Sequence, residues 1–558
     1  MSSDVSRREL FAAAAAIGIG SAPFHRAVAA TAAAQPKIET VTPEMVEHAE
    51  WVAGITLTND ERKEVAKRLT VTQMQLARLR SQTAIGYDVG PAVHFTPNPG
   101  QPPHQGGRGT FALSDPKAEV KKPEADADLA FLPLHKLAEL VRTKKVSSTE
   151  LTKLYLARLK KYDPALLCAV TITEELALKQ AAEADQEIAA GKYRGPLHGV
   201  PWVAKDLIAY PGYPTTWGAG HFKEQKFDQP ATVARRLDTA GAVLVAKTTL
   251  GSLAWGDKWF GGMTRNPWNV KNGSSGSSAG TASAVAAGLA PYGIGSETLG
   301  SIVSPSHTCG VTGLRPTFGR VSRHGCMALC WSLDKIGPMA RSAEDCALVL
   351  GAIHGADGKD ATAQDRPFFW PAKKPLKEMR VGFEGKEEGN ADLKVLKDLG
   401  VTLVPVKLPH AAAQTIVSLI LDVESATAFD DITREGVRAD IGLWPNTFRR
   451  ARFVSAVDYL RAQRARTLVM RDMAKAVEGI DAYVGPAGFD LALTNITGHP
   501  TVCLPNGFRK SGTPTGLTFT GQLFGESELL ALAKAYQDAT GHHLKRPPEE
   551  TWVAEKKE

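Results

Sequence analysis

The stretch from Gly273 to Thr317 limits the fold more than any other part of the chain. It opens on Asn272-Gly-Ser-Ser-Gly-Ser-Ser-Ala-Gly280, a density of small residues that no ordinary helix or strand selects. Thr281 to Ala290 is small and apolar, which predicts a helix pressed tightly against a sheet. Gly293-Ile-Gly-Ser-Glu-Thr-Leu-Gly-Ser301 then makes a second Gly-Ser turn. Loops of this kind either cradle phosphate or gather backbone N–H groups around a developing oxyanion. The phosphate reading needs Gly-Lys-Ser/Thr in P-loop spacing, and the chain has no lysine there. A flexible Gly/Ser linker has no reason to enclose an apolar helix. The oxyanion reading is therefore favoured.

The rest of the composition narrows the function class. The chain has 558 residues, too many for one ordinary domain, with 43% hydrophobic and 22% charged residues, as in soluble globular proteins. The net charge of +7 is not gathered into Lys/Arg blocks, so nucleic-acid binding is not indicated. Cys168, Cys309, Cys326, Cys330, Cys346 and Cys503 form no CxxC pair and no zinc-ligand spacing, so they read as scattered core thiols. Cys326 and Cys330 are close enough in sequence to pair, and the sequence does not decide whether they do.

Along the chain, Ser6-Arg7-Arg8-Glu-Leu-Phe11, an apolar run from Ala12 to about Ala22 and Ala27-Val28-Ala29 resemble a twin-arginine export signal with its cleavage site. That reading starts the mature chain near Ala30 and predicts a periplasmic or secreted protein, with no stable membrane span after cleavage. Thr42-Pro43 and Thr58-Asn59-Asp60-Glu61 are helix starts, and Met74, Leu76 and Leu79 mark the apolar side of the second helix. Tyr87 to about Asp128 is rich in Pro, Gly, His and Lys and reads as a linker or a surface-hugging extension. From about Leu132 helix and strand signals alternate. Ser147-Ser148-Thr149-Glu150 caps a helix with Leu151, Leu154, Leu156 and Leu159 inward, and a second helix covers roughly residues 174–190. Short apolar runs follow at Gly199–Ala204 and Ala242–Ala246, then strands at Ala482–Val484 and Thr501–Leu504 and a closing helix over Glu526–Thr540. This alternation predicts an α/β layered fold. The expected organisation is a signal over 1–29, a helical extension and linker over 30–128, a catalytic domain over 129–545 and a charged tail over 546–558.

Several segments resemble the amidase signature family of serine hydrolases. The family has a Gly-Ser-Ser-Gly-Gly loop, an Ala/Gly-rich helix, a Gly-x-Asp-x-Gly-Gly-Ser turn, Ile-Arg-x-Pro and Cys-Gly-x-x-Gly-Leu-Lys-Pro-Thr. This chain has Gly276-Ser277-Ser278-Ala279-Gly280, Gly295-Ser-Glu-Thr-Leu-Gly-Ser301-Ile302, Pro305 and Cys309-Gly310-Val-Thr-Gly313-Leu-Arg-Pro316-Thr317. Gly199-Val-Pro-Trp-Val-Ala-Lys205-Asp206, Leu333-Asp334-Lys-Ile-Gly337-Pro338 and Asn495-Ile-Thr-Gly-His-Pro500 fit in the right order. The resemblance covers about residues 130–545. It implies a mixed central β-sheet covered by helices on both faces, with an extra N-terminal helical segment, and an amidase acting on linear amide C–N bonds without cofactor or metal. Ser301 would be the nucleophile, Lys205 the base, and Ser277, on a cis peptide in the family, the proton relay between them. The backbone N–H groups of Thr298, Leu299, Gly300 and Ser301 would form the oxyanion hole. A lysine base at neutral pH must lose roughly three units from its ordinary pKa near 10.4, which a dry pocket achieves by disfavouring the ammonium.

Three positions depart from the family: Glu297 replaces its Asp, Leu299 the Gly two before the nucleophile, and Val303 the Arg two after it. Ser275 and Ser278 flank Ser277 and read as loop-supporting hydroxyls, since only Ser277 has the family spacing. His307 and His499 would suit a Ser-His-Asp site, but no Gly-x-Ser-x-Gly elbow surrounds Ser301. Asp206 reads as a support for the loop after Lys205. The expected substrate is a small-molecule or peptide-terminal amide. The alternatives are a protein like the A subunit of a tRNA-dependent amidotransferase, against which the export signal argues, and a non-catalytic binding protein on the same scaffold. Residues 38–128 have three roles open: covering the site, mediating a homodimer, or wrapping the core.

Overall fold

The computed structural model describes residues 40–82, 93, 107–115 and 119–552. Chain contacts divide it into two compact units, residues 1–84 and 85–558. In the first, helix α1 (Pro43–Ala53) starts at Thr42, whose hydroxyl accepts from the N–H of Met45 at 3.3 Å. Helix α2 (Asn59–Gln82) opens on a reciprocal capping box: Glu61 N–H donates to Thr58 Oγ1, and Thr58 N–H to Glu61 Oε2 at 2.8 Å. Leu76 and Leu79 are buried, whereas Met74 is half exposed and lies off the apolar stripe.

The second unit is built on an eleven-stranded mixed sheet. Its strands are β1 (Ala169–Ile172), β2 (Pro201–Lys205), β3 (Val243–Thr248), β4 (Tyr292–Glu297), β5 (Thr312–Arg315) and β6 (Lys335–Ala340). They continue with β7 (Arg380–Phe383), β8 (Thr402–Pro405), β9 (Ala482–Pro486), β10 (Thr501–Phe508) and β11 (Pro514–Gly521). The spatial order is β1-β3-β2-β4-β6-β5-β10-β11-β9-β7-β8. β2 runs parallel to both β3 and β4, while β6 pairs antiparallel with β4 and β5. Side-chain alternation shows both faces covered. Trp202 and Ala204 of β2 enter one core cluster and Val203 enters another. The first cluster takes in Leu348 and Leu350 of a helix over Ala343–Ile353; the second takes in Leu156 and Leu159 of a helix over Ser148–Leu166.

The small-residue stretch resolves as expected in kind but is shorter than its sequence suggests. Helix α3 (Ala279–Ala286) is buried on every side and stops four residues before Ala290. It lies so close to β4 that a Cβ on Gly295 would sit 2.8 Å from Ser278 Oγ. That approach brings the end of the Ser-rich loop against the ends of β2 and β4, where Lys205 and Glu297 stand.

A buried ion pair fixes the turn leaving β2. Lys247 Nζ lies 2.6 Å from Asp206 Oδ1 with both side chains fully enclosed, and Asp206 Oδ2 accepts from Thr216 N–H at 2.8 Å. Asp206 thus supports the loop. Lys247→Met leaves a buried carboxylate without its partner and is expected to cost about 3–5 kcal/mol in chemical denaturation, most of it recovered by adding Asp206→Leu.

Candidate active site

Lys205 ends β2 with no solvent exposure, and its neighbours are oxygens without charge. Nζ lies 2.8 Å from Ser277 Oγ, 2.9 Å from Ser296 Oγ, 3.1 Å from Ser278 Oγ and 3.4 Å from the Ser296 carbonyl. Burial disfavours the ammonium and lowers the pKa to about 7, against the opposing pull of Asp334 and Glu297.

The two candidate relay serines are separated by their other partners. Ser278 Oγ donates to the Ser296 carbonyl at 3.1 Å and accepts from Ser296 N–H at 3.2 Å, tying the start of α3 to β4. Ser277 Oγ has Lys205 as its one partner among the described residues, and its peptide bond to Gly276 is cis. Ser278 N–H donates to the Ser301 carbonyl at 3.0 Å, joining the Ser-rich loop to the second turn. Ser275 uses its backbone N–H on Asp257 at 3.1 Å.

The turn from Glu297 to Ser301 is braced from below. Glu297 Oε2 accepts from the N–H groups of Ile302 and Val303 at 2.8 and 3.0 Å, while Oε1 meets Arg315 and Asn495 at 2.8 and 2.9 Å. Burial alone would raise this carboxyl, but Arg315 and Lys335 outweigh it and hold it at about 2. Gly300 adopts φ +82°, where a side chain would be strained, and a Cβ there would lie 2.9 Å from Ser304 Oγ. The result is a turn with unpaired donors. The N–H groups of Thr298, Leu299, Gly300 and Ser301 donate to no acceptor among the described residues. Ser301 is 8% exposed and its hydroxyl has no protein partner there. Such an array can stabilise an anion beside a reachable hydroxyl.

Other residues singled out in the sequence lie elsewhere. His499 Nδ1 pairs with Thr497 Oγ1 at 2.9 Å and its carbonyl accepts from Arg315. His307 lies in the last turn of a short helix over Val303–Cys309, near Arg509. All six cysteines are free thiols, so Cys326 and Cys330 are not bridged. Ser296, Arg315 and Asn495 are the neighbours that sequence reasoning assigned no role. Their signal was weak: polar residues inside otherwise buried strand and helix ends.

The fold and the site geometry point to one class of enzyme, and the family model described as Amidase matches residues 150–494. The chain belongs to the amidase signature family. It is similar to the glutamyl-tRNA(Gln) amidotransferase A subunit of Marinomonas sp. (strain MWYL1), at 34% identity over 74% of this chain and 97% of the relative. The like-named protein of Heliobacterium modesticaldum is 35% identical over 74% of this chain and 98% of its own. Among solved structures, the native peptide amidase from Stenotrophomonas maltophilia is 31% identical with a TM-score of 0.66, covering 75% of this chain and 98% of its own. A bacterial aryl acylamidase at 22% identity and TM-score 0.67, covering 75% of this chain and 99% of its own, shares the fold.

These relatives correct one expectation. The twin-arginine reading at residues 1–29 lies outside the described residues. The periplasmic or secreted location it suggested is overturned: the relatives matched over nearly their whole length are named as A subunits of a glutamyl-tRNA(Gln) amidotransferase. A basic pair before a short apolar run is a weak signal, since an ordinary helix start has the same composition. Among the described residues no helix is long and apolar enough to cross a membrane.

The brace under the turn yields a prediction. Glu297→Gln leaves Arg315 without its buried counter-charge and loosens the Ile302–Val303 anchor. Turnover is expected to fall on the order of 10²-fold, the scale of a lost oxyanion donor, with little change in KM, as read by steady-state kinetics.

Proposed function

We propose that this protein cleaves a carboxylic amide through an acyl-enzyme on Ser301. The observation that carries the reading is the 2.8 Å contact of a buried, charge-depleted Lys205 with Ser277, beside a turn of unpaired N–H groups. Neutral Lys205 takes the Ser277 proton as Ser277 takes that of Ser301, and Ser301 Oγ bonds to the amide carbon. The oxyanion is held by the N–H groups of Thr298, Leu299, Gly300 and Ser301. Ser277 then protonates the departing nitrogen, because an amide anion is a poor leaving group, and is reprotonated by Lys205. Water enters by the reverse route and frees the acid.

The destination of the nitrogen separates two readings. In an amidase, ammonia or an amine is released to water. In a protein acting like the A subunit of a tRNA-dependent amidotransferase, the nitrogen passes to a second acceptor. The relatives at 34–35% identity, matched over 97–98% of their own length, weigh toward the second reading. The sequence argument against it was the export signal, and that argument has fallen. The peptide amidase at 31% identity supports the first. Ammonia or amine release by the isolated chain favours the amidase. Turnover of glutamine only with added partner proteins and glutamyl-tRNA favours the amidotransferase.

Two measurements test the shared chemistry. A fluorophosphonate probe is expected to label wild type on Ser301, read by mass spectrometry, and Ser301→Ala is expected to be unlabelled. An unlabelled wild type returns the scaffold to the non-catalytic reading. For the base, kcat/KM is expected to fall about tenfold per unit below a pH of about 7 and to level off above it, because only the neutral amine accepts a proton. A profile flat across that range removes Lys205 from the role.

A further inference from the structure

Lys335 opens β6 beside the turn that carries Ser301, and the chemistry described above gives it no part. Its Cα is paired with that of Glu297 across the β4–β6 ladder, and its side chain is buried. Nζ donates to Asn495 Oδ1 at 2.6 Å. That is its one hydrogen-bond partner among the described residues, and no carboxylate there lies within ion-pair distance. Burial and the neighbouring Arg315 outweigh the pull of Glu297 and Asp334 and push the Lys335 pKa well below the ordinary lysine range. Burying an amine against a single amide oxygen costs stability, so the reason for it lies elsewhere.

What Asn495 holds supplies that reason. Its Nδ2 donates to Glu297 Oε1 and to the Leu491 carbonyl, both at 2.9 Å. Those oxygens are acceptors, so they fix which end of the amide faces them. The other end, Oδ1, is then left buried and in need of an N–H. Lys335 provides it, charged or neutral, because a neutral amine keeps N–H bonds to donate. With that bond in place both ends of the Asn495 amide are engaged.

Two contacts carry this to the Ser301 turn. With Asn495 and Arg315 on Oε1, Glu297 keeps Oε2 for the N–H groups of Ile302 and Val303, the two residues after Ser301. Asn495 also ties down Leu491, at the start of a short helix over Leu491–Thr497. The Leu491 side chain packs against Gly300, where a Cβ would lie 3.1 Å from its Cδ1. Asp334, the residue before Lys335, accepts from Thr298 Oγ1 at 2.6 Å. Adjacent residues thus hold the turn at both ends. Asp334 acts where it opens at Thr298, and Lys335 acts through Asn495 and Glu297 where it closes after Ser301.

We propose that Lys335 is a positioning residue for amide cleavage. By pinning Asn495 Oδ1 it keeps Glu297 on the Ile302 and Val303 N–H groups, and so keeps the N–H array of residues 298–301 aimed at the oxyanion. It bonds to neither Ser301 nor Lys205. This rests on the acyl-enzyme reading above and adds to it the residue that sets the turn.

The second-order rate of Ser301 labelling by a fluorophosphonate reads the turn directly, because the probe places its phosphoryl oxygen where the oxyanion would sit. Lys335→Met, which keeps the stem and removes the donor, is expected to label at least about tenfold more slowly. Its rate is still expected to level off above a pH of about 7, as in wild type, since the surroundings of Lys205 are untouched. For an amide that the chain turns over, the loss is expected in kcat, with KM within about twofold. In an Asn495→Leu background, Lys335→Met is expected to cost no more than about twofold further, because the bond it removes is already gone. A folded Lys335→Met that labels at the wild-type rate overturns the proposal. So does an undiminished loss in the Asn495→Leu background, or a shifted pH midpoint, which would place the effect on Lys205. If Lys335→Met does not fold, Asn495→Leu alone is the test, and labelling at the wild-type rate is then the overturning result. A wild type that does not label defeats the acyl-enzyme reading instead.

Discussion

The site depends on keeping an amine among oxygens while denying it a carboxylate partner. Lys205 touches three hydroxyls and a carbonyl, and burial outweighs the pull of the nearby acids on its charge. Two acids are near enough to undo this, and the structure commits both elsewhere. Asp334 accepts from Thr298 Oγ1 at 2.6 Å and from the N–H groups of Leu329 and Cys330 at 2.8 and 2.9 Å. Glu297 is fully engaged by Arg315, Asn495 and the turn after Ser301. Their fields on Lys205 remain, but neither carboxylate forms a salt bridge with it. A direct ion pair would stabilise the ammonium at neutral pH.

The same commitments answer what the altered turn does. With Val303 in place of the family's arginine, a guanidinium still reaches the acid under the turn, supplied by Arg315 from β5. The extra methylene of Glu297 is consistent with that reach, because one carboxylate meets the Ile302 and Val303 amides on one oxygen and Arg315 on the other. Arg315 also bonds the His499 carbonyl and Thr501 Oγ1, so the brace ties β4, β5 and β10 together beneath Ser301. Leu299 has no comparable partner. It stands half-buried within the N–H array.

Legibility in the sequence followed contact range. Thr42, Thr58 with Glu61, and Ser147 were readable because a cap and its helix are a few residues apart. Lys205, Ser277 and Ser301 were legible because each stands in a contiguous motif. Ser277 was chosen over Ser278 by spacing alone; in the structure both hydroxyls meet Lys205, and only that of Ser278 is also bonded to the Ser296 backbone. The Glu297–Arg315–Asn495 set was invisible as a unit because it gathers residues 18 and 198 apart in sequence. Met74 shows the opposite failure, a helix face read from too few positions.

That division of range also explains why reaction and substrate separate in this chain. Lys205 at the end of β2 meets Ser277 and Ser278, just ahead of α3, at 2.8 and 3.1 Å and Ser296 of β4 at 2.9 Å, and the parallel pairing of β2 with β4, with small residues between the elements, delivers these contacts whatever surrounds it. Proteins with different named activities therefore share the sheet, and the Ser-Ser-Lys geometry is no guide to what they bind. Selection falls to the segments around that frame, which the shared chemistry leaves free to vary.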